Sequence, residues 1–487
     1  MQKTLILSLL VLASCASKPV SYPVKAPAGA MTLEKALHQT PEETTAYLKE
    51  HVSGVELYDV SNSADPASHL PDSLRASKAP ALPKEKSLTQ GFIRKYRVWT
   101  AERRAHQSEK VLSTFTCEHA PEAQALGFTL EIDFPAETAT TLSQQLHEKV
   151  ISCDYAAKAE SYFRLAIFSI QKNDCARAMG YLKDFPPAER GTSDRLAYVK
   201  SFCVGASEVS QRNPWSGYGI LLKDAPKENR TPAAWYLTTQ SGSEDWDRLL
   251  ATFVDLNLKG KKSTVQYIAS KLNYETLRSL PHSFQASVLV MMTYAGADLA
   301  VFQTLHRYIA DHPEMVSPDV TTLLFPTRYW NEIVENSHDM DPILVKALIR
   351  QESAFNPQAR SRAKASGLMQ LIYPTARRFG VPRPSLLLKP DQNIQAGSQF
   401  LGQLIEEFGS VELALAAYNA GPGIVRKWQK RYPTDNIELF VEMIPYSETR
   451  EYVRLVRRNF RVYETLLSRP QLLGETRGDI RLPASTP

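Results

Sequence analysis

Beyond His338 the 487-residue chain contains no histidine, and beyond Cys203 it contains no cysteine. A catalytic site confined to the last third therefore has no Ser-His-Asp triad, no Cys-His pair and no histidine-ligated metal to work with. Carboxylates, hydroxyls and backbone amides are what is left. Long apolar runs are scarce too: the one stretch able to enter a bilayer, Leu5 to Ala13, is too short to span it. Strand-like alternation is thin, with Gly127 to Ile132 the main exception. Nor is there a large excess of one charge: 57 Lys and Arg against 52 Asp and Glu leave +5, too little to argue for nucleic acid. The rest is ordinary globular composition, 43% hydrophobic and 22% charged, enough to bury a sizeable core.

Lys3, the apolar run and the small residues after it follow the order of a secretory signal. Leu12-Ala13-Ser14-Cys15 resembles the lipobox of bacterial lipoproteins, in which the cysteine is acylated and becomes the mature N-terminus. That resemblance makes residues 1–14 a cleaved signal and 15–31, rich in Pro, Ala and Ser, a flexible tether to a membrane. An ordinary signal peptide with an incidental cysteine is the alternative. Either way the mature chain works outside the cytoplasm, in the periplasm on the lipoprotein reading. Cys117, Cys153, Cys175 and Cys203 then sit in an oxidising compartment that permits two disulfides, with three pairings open. With no close cysteine pair among them, a zinc site is disfavoured.

Residues 32–325 are mainly of helical periodicity, with a Pro- and Ser-rich passage from Ser61 to Ser87 that reads as a long loop. Ala159 to Leu182 reads as one helix-turn-helix unit similar to tetratricopeptide repeats, and a solenoid or ring of stacked helix pairs is the expected architecture. Nothing in this body carries recognisable chemistry. Near Pro326 the texture changes. Between Asp341 and Pro470 there are 19 Lys and Arg against 12 Asp and Glu, so this segment carries more than the whole chain's positive excess. An anionic polymer as substrate would suit it, but a solvated helix face bearing Arg454, Arg457, Arg458 and Arg461 explains the same residues.

Asp341 followed by Pro342 is a helix start, and Ile343, Leu344, Val345, Ala347, Leu348 and Ile349 make that helix apolar on almost every side. Leu344, Leu348 and Glu352 are four apart and stack on one face. Glu352 thus ends an apolar stripe, where desolvation raises a carboxyl pKa and keeps it protonated near neutral pH. A general acid that protonates a glycosidic oxygen needs that condition.

Downstream come Glu352-Ser353-Ala354-Phe355-Asn356-Pro357, Ser361, Gly367-Leu368-Met369-Gln370, Ala417-Tyr418-Asn419-Ala420-Gly421-Pro422-Gly423, and Glu442 to Val453 with Pro445, Tyr446, Glu448, Arg450 and Tyr452. In order and spacing these resemble the catalytic domain of the soluble lytic transglycosylase (SLT) family. The resemblance implies a mainly α chain: a helical superhelix over 32–325, a goose-type lysozyme-like domain over 326–470, mostly helical, and a tail over 471–487.

It also implies roles. Glu352 takes the position of the sole catalytic carboxylate, and Ser361 that of a serine that hydrogen-bonds and orients it. Gly367 permits close backbone approach, Met369 and Gln370 line the sugar groove, Tyr418 and Asn419 face the glutamate and substrate, and Glu442 and Tyr446 are groove residues. Glu448 and Arg450 read instead as an internal ion pair. With no second carboxylate at a family catalytic position, the sugar must supply the other group. The implied reaction is lyase cleavage of the MurNAc-(β1,4)-GlcNAc bond with a 1,6-anhydro end, on peptidoglycan glycan strands, with no cofactor or metal. A hydrolytic muramidase using the same Glu352, and a non-catalytic wall-binding scaffold, are the rivals. Partnership with other cell-wall enzymes stays open.

Overall fold

The computed structural model describes residues 26–60, 63–76, 84–133, 136–155, 157–185, 192–206, 217–219, 235–312 and 315–468. The expected signal segment, Cys15, most of the expected tether and the expected tail 471–487 lie outside them. Among the described residues the chain is helical throughout, with isolated β-bridges and no strand. No described helix is long and apolar enough to cross a membrane.

The main departure from expectation is Gly127 to Ile132, which is helical within Ala120–Asp133. Its alternation has a physical cause: this helix is buried on several faces, so its polar residues are inside as well. Thr129 turns its hydroxyl back to the Ala125 carbonyl at 2.9 Å, and Glu131, fully buried, meets Arg164. The passage expected as a loop from Ser61 to Ser87 holds a 3-10 turn, Pro66–His69, and a helix already begins at Lys84. The helix-turn-helix at 159–182 is present as Ala159–Gln171 and Cys175–Lys183, with Asn173 at φ 59° in the turn.

The start of the body folds back on its end. Helix Pro41–His51 packs on Glu244–Leu258, Leu33–His38 packs on His282–Tyr294 and Pro318–Leu324, and Thr32 bridges Tyr236. One apolar core runs from Met31 through Leu324 to Leu467, and a smaller one, from Tyr96 to Tyr155, sits under the four helices between Lys84 and Ile151. Of the three pairings the structure forms Cys117–Cys153 and Cys175–Cys203, each tying a helix start to the end of a later helix.

The 326–468 portion meets the body at two places. Directly after the body, Phe325 packs edge-on to Tyr463, and Tyr463 donates to the Pro326 carbonyl at 3.0 Å. At the second place, Ala159–Gln171 packs on Ile437–Met443 and Ala120–Asp133 on Pro422–Arg431. This second seam is charged and buried. Arg164 donates to the carbonyls of Glu442 (3.0 Å) and Met443 (3.2 Å) and pairs with Glu131. Glu160 pairs with Arg195 and Arg450, and Glu442 pairs with Arg454 and, at 3.4 Å, Arg195. Such an array is tolerated only because each charge finds its counter-charge, since a lone buried ion costs several kcal/mol.

Candidate active site

Asp341 caps the Glu352 helix, Pro342–Ser353, by accepting from the Ile343 N–H at 2.8 Å, with Pro342 in the first turn. Leu344 and Leu348 are buried as the stripe requires, and so are the charged Lys346 and Arg350 on other faces. Arg350 donates to the Leu324 carbonyl at 2.8 Å and to Asn459 at 3.1 Å, and Lys346 to the Arg328 carbonyl at 2.7 Å. The helix is therefore held on all sides, packed along Ser447–Ser468. Directly after Ser353 the chain breaks direction through Ala354 (φ 47°) and Phe355 (φ 61°), two non-glycine residues in the left-handed region. Burial of the Phe355 ring in the core holds that turn, and with it the helix end that carries Glu352.

Glu352 itself is half-buried, and its pKa is raised to about 7. Desolvation is the main cause; the Tyr452 hydroxyl opposes it by donating to Oε1 at 2.7 Å, and the charge of Glu448 adds to it. Tyr418 lies close enough that the Glu352 charge, after burial, raises its own pKa well above normal. Its hydroxyl donates to the Met369 carbonyl at 2.8 Å. A carboxyl half-protonated at neutral pH, held by the Tyr452 hydroxyl and felt electrostatically by Tyr418, is equipped to give and take one proton.

The remaining expected residues divide. Asn419 accepts from the buried Thr449 at 2.7 Å, joining the end of Val411–Ala420 to the first turn of Ser447–Ser468. Gly421, at φ 93°, ends that helix, and Pro422 opens the next without a gap. Gly367 (φ 85°) does allow a close approach: a Cβ there would run into the Leu387 carbonyl and the Asn393 side chain. Gln370 braces the loop, donating to the carbonyls of Ala359 (3.0 Å) and Gly367 (2.9 Å). Tyr446 is half-buried and stands edge-on to Trp428 with centroids 5.1 Å apart.

Five expectations are corrected. The Ser361 hydroxyl closes its own turn by accepting from the Ala365 N–H at 3.1 Å, and the hydrogen bond on Glu352 comes from Tyr452 instead. Met369 is fully buried against Gly397, so it offers the site its carbonyl and not its thioether. Glu442 is fully buried in the seam and pairs with arginines, so it lines no groove. Arg450 pairs with Glu160 across the seam while Glu448 is exposed, so those two form no ion pair. Of the helix face expected to be solvated, Arg454 and Arg458 are buried, Arg457 is partly buried with Glu412 and Glu438, and Arg461 alone is exposed.

Tyr452 and Asn393 were not singled out from the sequence. Asn393, fully buried, accepts from the Met369 N–H at 2.7 Å and donates to the Ser366 and Leu387 carbonyls, and so fixes the Gly367 loop. A polar residue inside an amphipathic helix gives no local sign of such a task. Tyr452 did carry one: it is the second tyrosine of the last motif, six residues after Tyr446. Tyr452→Phe should lift the alkaline limb of the pH–rate profile to higher pH, because burial then acts on Glu352 with less opposition. A kcat loss of about ten- to a hundredfold should accompany it, in line with one hydrogen bond to a charged group at ~1.5–3 kcal/mol. An unmoved limb would remove Tyr452 from the site.

A family model described as Transglycosylase SLT domain matches residues 329–441. Over 169 residues, 33% of this chain, the sequence is 40% identical to the soluble lytic murein transglycosylase of Salmonella typhimurium, and the match spans 25% of that relative's length. Two solved structures match over most of the chain. The 70 kDa soluble lytic transglycosylase of Escherichia coli is 18% identical, with TM-score 0.55 over 92% of this chain and 75% of that one. An inactive mutant of the lytic transglycosylase Slt from Pseudomonas aeruginosa is 20% identical, with TM-score 0.56 over 91% of this chain and 74% of that one. Residues 329–441 are thus similar in sequence to the Transglycosylase SLT domain, and the chain around them has the fold of the soluble lytic transglycosylases: a helical superhelix with a lysozyme-like domain.

Proposed function

We propose that the chain is a peptidoglycan lytic transglycosylase in which Glu352 is the single general acid and base. The observation that carries the reading is the Glu352 carboxyl, raised to about 7 and held by Tyr452 at the end of a buried helix. In the proton-bearing form it donates to the glycosidic oxygen leaving C1 of N-acetylmuramic acid. The 2-acetamido oxygen stabilises the cationic centre that remains. The C6 hydroxyl then adds to C1, its proton passes to the Glu352 carboxylate, and a 1,6-anhydro ring closes with no water consumed. Domains 32–325 and 326–470 are the body and the catalytic portion in this proposal; Gly367, Gln370, Tyr418, Asn419 and Tyr446 are its nearest candidates for holding the glycan.

Mass spectrometry of purified peptidoglycan digested with the protein tests the reading. Anhydro ends, one water lighter than reducing ends, are the expected products. Reducing ends would make the protein a muramidase, and no cleavage would leave a scaffold.

Export and anchoring belong to the same proposal. The lipobox-like Leu12 to Cys15 supports acylation of Cys15 and tethering through 15–31. Cys15→Ala should move the protein from the membrane to the soluble fraction of cells, and unchanged sedimentation with membranes would defeat the anchor.

A further inference from the structure

The charged seam closes its charges on one another, but the other meeting place of the body and the 326–468 portion does not. There Arg350, on the Glu352 helix, and Arg458, on Ser447–Ser468, are each only 5% exposed. Both aim at one neutral atom, the Oδ1 of the fully buried Asn459: Arg350 Nη1 donates to it at 3.1 Å, Arg458 Nε at 3.2 Å and Arg458 Nη2 at 2.8 Å. An amide oxygen has two lone pairs, so three donors oversubscribe it. The Arg350 Nη2 reaches only the His306 Nε2, at 3.4 Å, and among the described residues the Arg458 Nη1 donates to nothing.

No carboxylate among the described residues forms an ion pair with either guanidinium. The acids whose charge they feel are already engaged, Asp298 with Arg328 at 2.6 Å and Glu451 with Arg454 at 3.0 Å. The Phe325 ring lies 4.3 Å from Arg350 and 5.7 Å from Arg458, and Phe302 lies 4.2 Å from Arg350. These rings attract cations but bring no counter-charge. Burial, and at Arg458 the Arg350 charge as well, pulls both groups below the ordinary guanidinium pKa. Guanidinium nevertheless keeps its proton in proteins, so two like charges stay side by side out of water, a costly arrangement without a counter-ion.

His306, half-buried on the helix Asp298–Asp311, stands at the edge of the pair, so the cluster is not sealed from solvent. A planar fork of N–H donors matches two oxygens carried on one atom, as in phosphate. With both guanidiniums so little exposed, the anion that reaches them is a small one.

We propose that Arg350 and Arg458, bridged by Asn459 and rimmed by His306, form a binding site for one small oxyanion of the inorganic phosphate type. The site does not depend on the reading of Glu352. Its anion takes the spare N–H groups of both arginines at the point where the body helix Asp298–Asp311, the Glu352 helix and Ser447–Ser468 meet. It thus fastens the body to the helix that ends in Glu352, two residues beyond Arg350.

Thermal melts of the full chain in rising sodium phosphate, with sodium chloride adjusted to hold the ionic strength constant, test the site. The wild-type midpoint should rise by several degrees, and equilibrium dialysis against labelled phosphate should count one anion per chain. Arg458→Gln, which keeps Arg350 and its partners, should lose most of that rise. An equal rise in both proteins is the general effect of phosphate on apolar burial and overturns the site, as does a wild-type protein with no saturable uptake. If Arg458→Gln does not fold, Arg458→Lys decides: it keeps the charge but not the fork, and should bind phosphate about tenfold more weakly in dialysis. Unchanged affinity in that variant overturns the site.

Discussion

Glu352→Gln should abolish glycan cleavage and, above pH 7, make the folded chain more stable than wild type. The first effect follows from the loss of the one group that carries the proton; general acid–base catalysis contributes about 10²–10⁴-fold, and here one residue serves both steps. The second follows from linkage. Unfolded, the carboxyl titrates near 4.5, and folded near 7. Below 4.5 both states are protonated and the group is neutral to stability. Between 4.5 and 7 the unfolded chain ionises first, so the native state loses ground as pH rises, and above 7 the full cost is in place. At about 1.4 kcal/mol per unit, reduced for a half-buried side chain, that cost is roughly 1–3 kcal/mol. Glutamine does not ionise. Thermal melts of the two proteins should coincide near pH 4 and separate by several degrees near pH 8. Undiminished cleavage by the variant, or a gap that does not change with pH, would remove Glu352 from the centre of the mechanism.

Arg164→Met should cost about 3–5 kcal/mol at neutral pH, the largest stability effect in the molecule outside the apolar cores. The substitution removes three donors to Glu442 and Met443 carbonyls and leaves Glu131 buried without its guanidinium. Burial by itself would push the Glu131 pKa up, yet the Arg164 charge, helped by His147 and Ser143, brings it down to about 2. A carboxyl depressed in this way stabilises the fold above its unfolded pKa of 4.5, and that contribution is lost as pH falls to about 2. The penalty of Arg164→Met should therefore be largest at pH 7 and shrink towards pH 3, read as denaturant midpoints. Glu131→Gln added to Arg164→Met should recover part of it, because the stranded charge is gone. A midpoint that stays put at pH 7 would mean that the seam is held by its apolar contacts.

The seam also explains the uneven charge of the chain. The basic excess of 341–470 suggests a surface for an anionic polymer, yet Arg450 and Arg454 spend their charge on Glu160 and Glu442, and Arg431 donates to the Leu130 carbonyl at 3.1 Å. Counting residues locates the excess but cannot say which side chains face water. The cation that lies over the Tyr446 ring, Arg97, comes from the body, whose local pattern showed no chemistry at all.

Local order was readable in advance where local forces decide it. The cap at Asp341, the apolar stripe ending at Glu352 and the helical pair at 159–182 all depend on residues within a few positions of one another, and all are present. The amino-acid order also pointed to Glu352, its helix supplying the apolar stripe and the motifs downstream giving it the place of the carboxylate in the family it resembles. Tertiary packing alone decided what touches that acid. Tyr452 stands 100 positions away and takes the role expected of Ser361; Glu442 is drawn from the site into the seam by Arg454 and Arg195; and one disulfide pairing is chosen out of three. Those outcomes depend on the desolvation and pairing of groups far apart in the chain, and their energies exist only once the fold has brought the partners together.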